Sequence, residues 1–256
     1  MVKQIWLKEI KGEIYTWKST VWLLIASLIL SFTSYLLLTD KELSLLDQTE
    51  MLWLLGKIII GVGLLIITID ASSVLTSEFE KDTAEGLFLA PITLSQIIWG
   101  KILFVVTLWL VIFAVSIPYI IVSSAGSHLA FAFLSYVLLL GTLATVGFSL
   151  LIMAISLLFR SSKNTLTTSL IILLALAVPA LFSSTLKINS LAGFFSRINP
   201  IDAIFSCLDN VLVDYQTSLM QNLQFLVPLL VFCVLTLVIL VLSVRQFHKK
   251  GIVKNE

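Results

Sequence analysis

The 256 residues of this chain are 59% hydrophobic and only 12% charged, whereas a soluble domain carries roughly 25% charged residues. This composition excludes a soluble globular domain and predicts an integral membrane protein. The net charge is +1, and we expect no nucleic-acid partner. The two cysteines give no disulfide framework. Cys207 lies between apolar runs and Cys233 lies deep within one, so we do not expect them to pair.

The first 19 residues carry an amphipathic pattern. Apolar residues recur at roughly helical spacing: Ile5, Ile10, Ile14 and Trp17. Three lysines tend to the other side: Lys3, Lys8 and Lys11. A helix of this kind lies in the membrane interface with its lysines toward anionic headgroups. We therefore predict an interfacial helix within residues 1–19, with an ordinary extension of the first span as the alternative.

Six apolar runs reach the ~20 residues that a membrane-spanning helix needs. They lie near residues 20–39, 52–72, 101–123, 130–159, 165–186 and 223–244. The fourth is overlong, so it tilts or extends into water. Two charged residues fall in the second run. We interpret Lys57 as an anchor near the outer boundary. Asp70 is interpreted as the point where the span emerges into the cytoplasm, with a polar cavity as the alternative.

Three hydroxyl side chains share one face of the first span, at positions i, i+4 and i+8: Ser27, Ser31 and Tyr35. Hydroxyl groups on such a face form hydrogen bonds between packed helices. They are also suited to line a substrate path. We keep both interpretations and treat the three residues as candidates for pathway lining.

The basic residues predict the orientation of the spans. Twelve of the sixteen lie on one side, in the N-terminus, the 73–101 loop, the 160–164 turn and the C-terminal tail. Three lie on the other side, and Lys57 lies inside the second run. The excess predicts a multi-pass protein of the cell (inner or plasma) membrane with both termini in the cytoplasm.

The largest outer segment, residues 187–222, contains a helix start. Asn199 is suited to be the N-cap, Pro200 to occupy the first helical position and Asp202 to lie in the first turn. Apolar residues follow at helical spacing. We predict a short amphipathic helix here that dips into the outer leaflet, with its apolar face against that leaflet or the dimer interface. The alternative is a passive connector.

Sequence motifs for several kinds of chemistry are missing. There is no G-x-x-x-x-G-K-[ST] phosphate cradle, H-E-x-x-H, C-x-x-C or G-x-S-x-G sequence. An intramembrane enzyme would need polar groups paired at membrane depth, but Lys57 and Asp70 are about 20 Å apart along a helix axis. We expect a chain that is not an enzyme and that binds no metal and no cofactor of its own.

Residues 77–101, SEFEKDTAEGLFLAPITLSQIIWGK, form a charged and then mixed segment between two long apolar runs. An acidic residue, a threonine, a second acidic residue, a leucine and a proline precede a Gly-Lys pair: Glu80, Thr83, Glu85, Leu87, Pro91, Gly100 and Lys101. This order resembles the permeases of ABC-2-type exporters. Their usual glycine before the threonine is replaced here by Asp82.

The resemblance implies an all-α membrane protein. It would have six transmembrane helices, an N-terminal amphipathic interfacial helix and an outer re-entrant helical segment. We expect one domain over residues 1–256, divided into the interfacial helix (1–19), a cytoplasmic coupling-helix loop (77–100, the coupling segment below) and the outer segment (187–222), with no nucleotide-binding domain.

The resemblance also implies partners. The coupling segment would dock on a separate cytoplasmic ABC ATPase, which binds ATP and Mg, through seven residues: Glu80, Lys81, Asp82, Thr83, Glu85, Leu87 and Pro91. A second permease copy or a related permease would complete the pathway within the lipid bilayer.

These features lead us to expect the permease subunit of an ATP-driven exporter of a hydrophobic or amphipathic substrate, such as a peptide, lipid or drug. A rival keeps the fold but serves the maturation of a periplasmic copper enzyme, by transmitting motion or exporting a sulfur species. The Asn-Pro-X-Asp sequence at 199–202 suits that rival. A third interpretation, an intramembrane enzyme, lacks a paired polar site.

Overall fold

A computed structural model describes residues 2–14, 17–39, 47–80, 93–125, 129–181, 198–214, 218 and 220–252 of this chain. Its regular elements, in chain order, are α1 (Val2–Glu9), a π-helical turn (Ile10–Ile14), α2 (Trp17–Thr39), α3 (Gln48–Glu80), α4 (Leu94–Ser123), α5 (Ala130–Phe159), α6 (Ser162–Leu181), α7 (Pro200–Leu212) and α8 (Leu223–Ile252). All elements in these ranges are helical, so the prediction of an all-α fold is confirmed.

Six of these helices are long and apolar enough to cross a membrane, as the sequence predicts. They are α2, α3, α4, α5, α6 and α8. The ends of the apolar runs do not mark the ends of the helices. Helix α3 does not end near Asp70, which is buried, but continues for ten more residues to Glu80. Helix α4 starts seven residues before its predicted span, at Leu94.

Helix α4 starts early because polar residues cap it locally. The Thr93 hydroxyl accepts a hydrogen bond from the Gln96 backbone N–H, and the Gln96 side chain accepts one from the Thr93 N–H. This reciprocal capping box satisfies two backbone donors that would otherwise have no helical partner. Much of the predicted 77–100 loop is therefore helical, and residues 81–92 lie outside the described part of the chain.

The N-terminal helix is shorter than the predicted 1–19. Helix α1 ends at Glu9, the π-helical turn follows, and α2 already begins at Trp17. Lys3, Lys8 and Lys11 are exposed, in agreement with the predicted polar face. Trp17 was expected on the apolar face, but 81% of its surface is exposed.

Helix α5 lies at the centre of the bundle and packs against α3, α4, α6, α7 and α8. Trp109 of α4 is fully buried and fills the space left by two glycines, Gly63 of α3 and Gly141 of α5. A Cβ atom at Gly141 would lie 1.9 Å from the Trp109 ring, and one at Gly63 would lie 2.5 Å from it. Small residues of this kind allow helices in a membrane to approach closely.

The bundle has two ends that differ in their contacts. The end where α3 finishes and α4 and α6 begin is called the Lys101 end. The opposite end, where α3 begins and α7 packs against α3, α5, α6 and α8, is called the Asn199 end. The sequence predicts that the Lys101 end faces the cytoplasm.

Candidate functional site at the flanks of the coupling segment

The last turn of α3 leads directly into residues 81–92 and contacts three different parts of the bundle. Glu78 forms an ion pair with Lys101 of α4. The Phe79 ring lies 5.8 Å from the ring of Phe247 in α8. Glu80 binds the first residue of α6, Ser162. Three consecutive side chains thus connect the start of the coupling segment to α4, α6 and α8.

Glu80 binds the N-terminus of α6. One carboxylate oxygen accepts a hydrogen bond from the Ser162 backbone N–H at 2.7 Å, and the other accepts one from the Ser162 hydroxyl at 2.8 Å. The first N–H groups of a helix have no partner within it, and the helix dipole favours a negative charge at this place. The hydroxyl of Thr76, one turn earlier in α3, lies 2.6 Å from the Ser162 hydroxyl.

Helices α5 and α6 meet α8 beside this contact. The backbone between α5 and α6 reverses at Arg160, whose φ of 53° is in the left-handed region. The Arg160 guanidinium carbon lies 4.7 Å from the centre of the Phe247 ring. Phe247 is therefore placed between Phe79 of α3 and Arg160, within reach of a cation–π interaction.

Lys101 is the buried charge of this region. Only 1% of its side-chain surface is exposed, and its ammonium group lies 3.0 Å from a carboxylate oxygen of Glu9 and 3.0 Å from one of Glu78. It also donates a hydrogen bond of 2.6 Å to the backbone carbonyl of Val74. Helices α1, α3 and α4 meet at this one side chain.

Of the seven residues predicted to dock on an ATPase, the structure describes Glu80. The other six lie outside the described residues: Lys81, Asp82, Thr83, Glu85, Leu87 and Pro91. Their role stays a prediction. Glu80 already contacts Ser162 of its own chain, so it joins helices here whether or not it contacts a partner.

The predicted helix start at the Asn199 end is confirmed. The Asn199 side chain accepts a hydrogen bond from the Ile201 N–H, Pro200 opens α7 and Asp202 lies in its first turn. The Asn199 amide also donates to the Leu176 carbonyl of α6 at 2.7 Å. The apolar residues of α7 are buried against the other helices of this chain. This face therefore packs on the protein itself, and the position of α7 within the outer leaflet stays a prediction.

Lys57 contacts two aromatic rings of its own chain, so it is not only an anchor at the outer boundary. Its ammonium group lies 3.2 Å from the centre of the Trp53 ring and 5.1 Å from that of Phe205 in α7. The Trp53 indole N–H donates to the Phe205 carbonyl. A cation over aromatic rings is stabilised by their negative faces. Lys57 and Trp53 therefore help to fix α7 on α3.

The far end of α7 is fixed by a chain of neutral polar groups. Asn222, which is fully buried, accepts a hydrogen bond from the Asn210 amide at 2.7 Å and donates one to the Tyr136 hydroxyl at 3.1 Å. These residues belong to α7, to the turn before α8 and to α5. Buried amides that are satisfied in this way fix the geometry of the elements they join.

The three hydroxyl residues of α2 do not share one environment. Ser27 is part of a helix contact, because its hydroxyl lies 2.8 Å from that of Tyr119 in α4. Ser31 and Tyr35 are exposed on the outer face of the chain. The packing interpretation therefore fits Ser27, and the pathway interpretation stays open for Ser31 and Tyr35.

Sequence reasoning missed four residues of the Lys101 end: Glu9, Glu78, Lys101 and Ser162. Lys101 was noted only as part of the Gly-Lys pattern. A signal was available, because a lysine inside the first two turns of an apolar helix needs an acidic partner. The partners themselves are distant in sequence, so no local spacing identifies them.

Comparisons with known proteins agree with this architecture. The family model described as ABC-2 family transporter protein matches residues 47–242. No curated protein matches the chain. The matched region contains the last turn of α3, the coupling segment, α7, four whole spans and most of a fifth. The chain therefore belongs to the ABC-2 family of transporter proteins and is a multi-pass membrane permease of an ABC transporter.

Proposed function

We propose that this permease is the membrane subunit of an ATP-driven exporter. Two separate ABC ATPase subunits bind at the Lys101 end, which faces the cytoplasm. They bind and hydrolyse the ATP, with Mg, and this chain is not itself an enzyme. The observation that carries the proposal is the last turn of α3, where Glu78, Phe79 and Glu80 contact α4, α8 and α6 directly before residues 81–92.

The mechanism follows from these contacts. When the ATPase subunits close, they displace residues 81–92, and the last turn of α3 moves with them. Because this turn is bonded to Ser162, the start of α6 is displaced as well. Switching between two arrangements of packed helices is the usual way in which such a local push changes a distant part of a protein.

A second permease, either a copy or a related chain, completes the pathway. The exposed face of α6 contains Thr167, Ile171, Leu174 and Val178. The exposed face of α2 contains Leu24, Leu28, Ser31 and Tyr35. Faces of this kind, apolar with a few hydroxyls, suit a hydrophobic or amphipathic substrate such as a peptide, a lipid or a drug.

Coupling is tested by co-expressing the tagged permease with each ABC ATPase of its own genome that lacks a membrane domain. We expect one ATPase to co-purify and its ATP hydrolysis to be stimulated in vesicles. The variant Glu80→Lys/Glu85→Lys should lose most of this stimulation. The matched control is Asp214→Lys, a charge reversal at an exposed position of the Asn199 end. Normal stimulation in the double variant would remove the coupling segment from this role.

Orientation is tested separately by labelling single cysteines in intact cells. In a cysteine-free background, a cysteine at position 163 should stay unlabelled by a reagent that cannot cross the membrane, and one at position 41 or 197 should be labelled. Strong labelling at 163 would reverse the proposed orientation. Nucleotide binding by the purified permease alone would contradict the assignment of ATP to a separate subunit.

A further inference from the structure

We propose that Lys101 is a positioning residue that joins α1 to both flanks of the coupling segment. As a result α1, the last two turns of α3 and the first two turns of α4 move as one body when residues 81–92 are displaced. This inference rests on the proposed function and adds the N-terminal helix to the moving part. The group formed by Lys101, Glu9, Glu78 and the Val74 carbonyl is called the Lys101 clasp below.

The hydrogen bonds of Lys101 show why it is a specific connection. An ammonium group has three N–H donors. Here three acceptors surround it, one on α1 and two on α3: Glu9, Glu78 and the Val74 carbonyl. A lysine that is 1% exposed needs all of these partners, because an unpaired buried charge is strongly unfavourable.

The glycine before Lys101 allows α1 to reach the clasp. A Cβ atom at position 100 would lie 2.8 Å from Ile5 Cγ2 and 3.4 Å from the Val2 carbonyl oxygen. Any larger residue would separate α1 from α4. The Gly100-Lys101 pair therefore has two physical tasks in this chain. The glycine sets the distance between α1 and α4, and the lysine bonds the two helices.

A third contact extends the connection further along α4. The indole N–H of Trp6 donates to the Thr107 hydroxyl at 2.9 Å. Thr107 lies almost two turns beyond Lys101. Two separated contacts, at Lys101 and at Thr107, prevent α1 from rotating about either one.

The clasp also bonds the helix before residues 81–92 to the helix after them. Glu78 precedes residues 81–92 and Lys101 follows them, so the ion pair joins the two flanks. With the flanks bonded, a push on the segment cannot be absorbed by separation of α3 and α4. It is transmitted to α1 as well, which is the prediction that distinguishes the clasp from a passive packing contact.

The first experiment uses the purified permease alone and does not depend on any ATPase. Deuterium exchange of backbone amides in residues 2–9 should become at least about 10-fold faster in Lys101→Met, because the partly buried carboxylates of Glu9 and Glu78 lose their cation. Lys101→Arg keeps the charge and should restore most of the protection. The matched control is Lys249→Met, which removes an exposed lysine from α8. Unchanged exchange in Lys101→Met would overturn the clasp.

The second experiment uses the complex with its ATPase, with and without ATP and vanadate. In the wild type, nucleotide should change the exchange of residues 2–9 together with that of residues 162–181. In Lys101→Met, we expect the change at 162–181 to be retained, because Glu80 still bonds to Ser162, and the change at 2–9 to be lost. Misfolding of the variant would instead lower its yield and remove both changes. A nucleotide response at 2–9 that survives in Lys101→Met would refute the transmission.

The two experiments separate the two proposals. If no ATPase associates with the wild type, the proposed function fails and transmission to α1 fails with it. The first experiment then still decides whether Lys101 holds α1. If the wild type responds to nucleotide but residues 2–9 do not, the proposed function stands and the inclusion of α1 in the moving body is wrong.

Discussion

The two ends of this bundle are held together by different kinds of contact. At the Lys101 end several bonds between helices involve charged groups, such as Lys101 with Glu9 and Glu78, or Glu80 with Ser162. At the Asn199 end most bonds involve neutral amides, hydroxyls and indole groups, and α7 is mostly buried.

The difference indicates which end is built to move. An exposed carboxylate such as that of Glu80 exchanges a protein partner for water at little cost, because water solvates it well. A buried amide network has no such replacement and is costly to break. We therefore expect the Lys101 end to respond to a partner and the Asn199 end to stay fixed.

The largest expected effect on stability lies in the middle of the bundle, where Trp109 of α4 packs against α3 and α5. In Gly141→Val the new side chain would overlap with the Trp109 ring. We expect the free energy of unfolding to fall by about 3 kcal/mol or more. Gly61→Val is the matched control, since no atom lies within 4 Å of a Cβ there. Thermal unfolding in detergent measures both. Equal stability of the two variants would contradict the close packing of α4 and α5.

The second largest effect on stability tests whether the Asn199 end is rigid. Asn222→Leu removes hydrogen bonds to Asn210, Tyr136 and the Ser218 carbonyl. At roughly 1 kcal/mol for each bond, stability should fall by about 3 kcal/mol. Asn164→Leu, at an exposed position of α6, should change it by less than about 0.5 kcal/mol. A small loss for Asn222→Leu would show that the Asn199 end is not rigid.

A smaller effect separates the two bonds of Asn199. Asn199→Ala loses both the cap of α7 and the bond to Leu176, and we expect a loss of about 1–2 kcal/mol. Asn199→Asp keeps the capping oxygen but loses the amide donor, so about half of the stability should return. Denaturation of the two variants in detergent gives the comparison. If Asn199→Asp is as unstable as Asn199→Ala, the bond to α6 matters more than the cap.

The smallest effect on stability should come from Glu80→Gln, although this variant should measurably reduce coupling to the ATPase. Glutamine keeps an oxygen acceptor for the Ser162 N–H but loses the negative charge at the helix N-terminus. We expect a melting temperature close to wild type and a partial loss of ATPase stimulation. A wild-type response to the ATPase would mean that the charge of Glu80 has no part in moving α6.

Local features of the sequence predict much of this fold. The spans follow from the length of the apolar runs, and the start of α7 follows from Asn199 and Pro200, because a cap is formed by neighbours in the chain. The end of α3 was predicted wrongly. A run of apolar residues reports where lipid contact ends, but the helix continues through Ser72, Ser73 and Thr76, whose hydroxyls bond to the backbone.

The contacts of the Lys101 end could not be predicted in the same way. Glu9 and Lys101 are 92 positions apart, and Glu80 and Ser162 are 82 apart. Such pairs depend on how whole helices pack, and no periodicity within one helix contains that information. The burial of the α7 apolar face against the other helices could not be predicted for the same reason. Its hydrophobic residues are equally suited to lipid and to the protein interior.

The order of the Lys101 partners in the chain has a consequence for biosynthesis. Both carboxylates precede the lysine, so Glu9 and Glu78 have already been synthesised when Lys101 is added. At 5–20 residues per second, Glu9 waits roughly 5–20 s for its partner. A carboxylate tolerates this delay in water, whereas a lysine entering the membrane without a partner would oppose insertion of its helix. The N-terminal helix therefore docks after α4 has been inserted, and a truncated nascent chain that ends before residue 101 should leave it undocked.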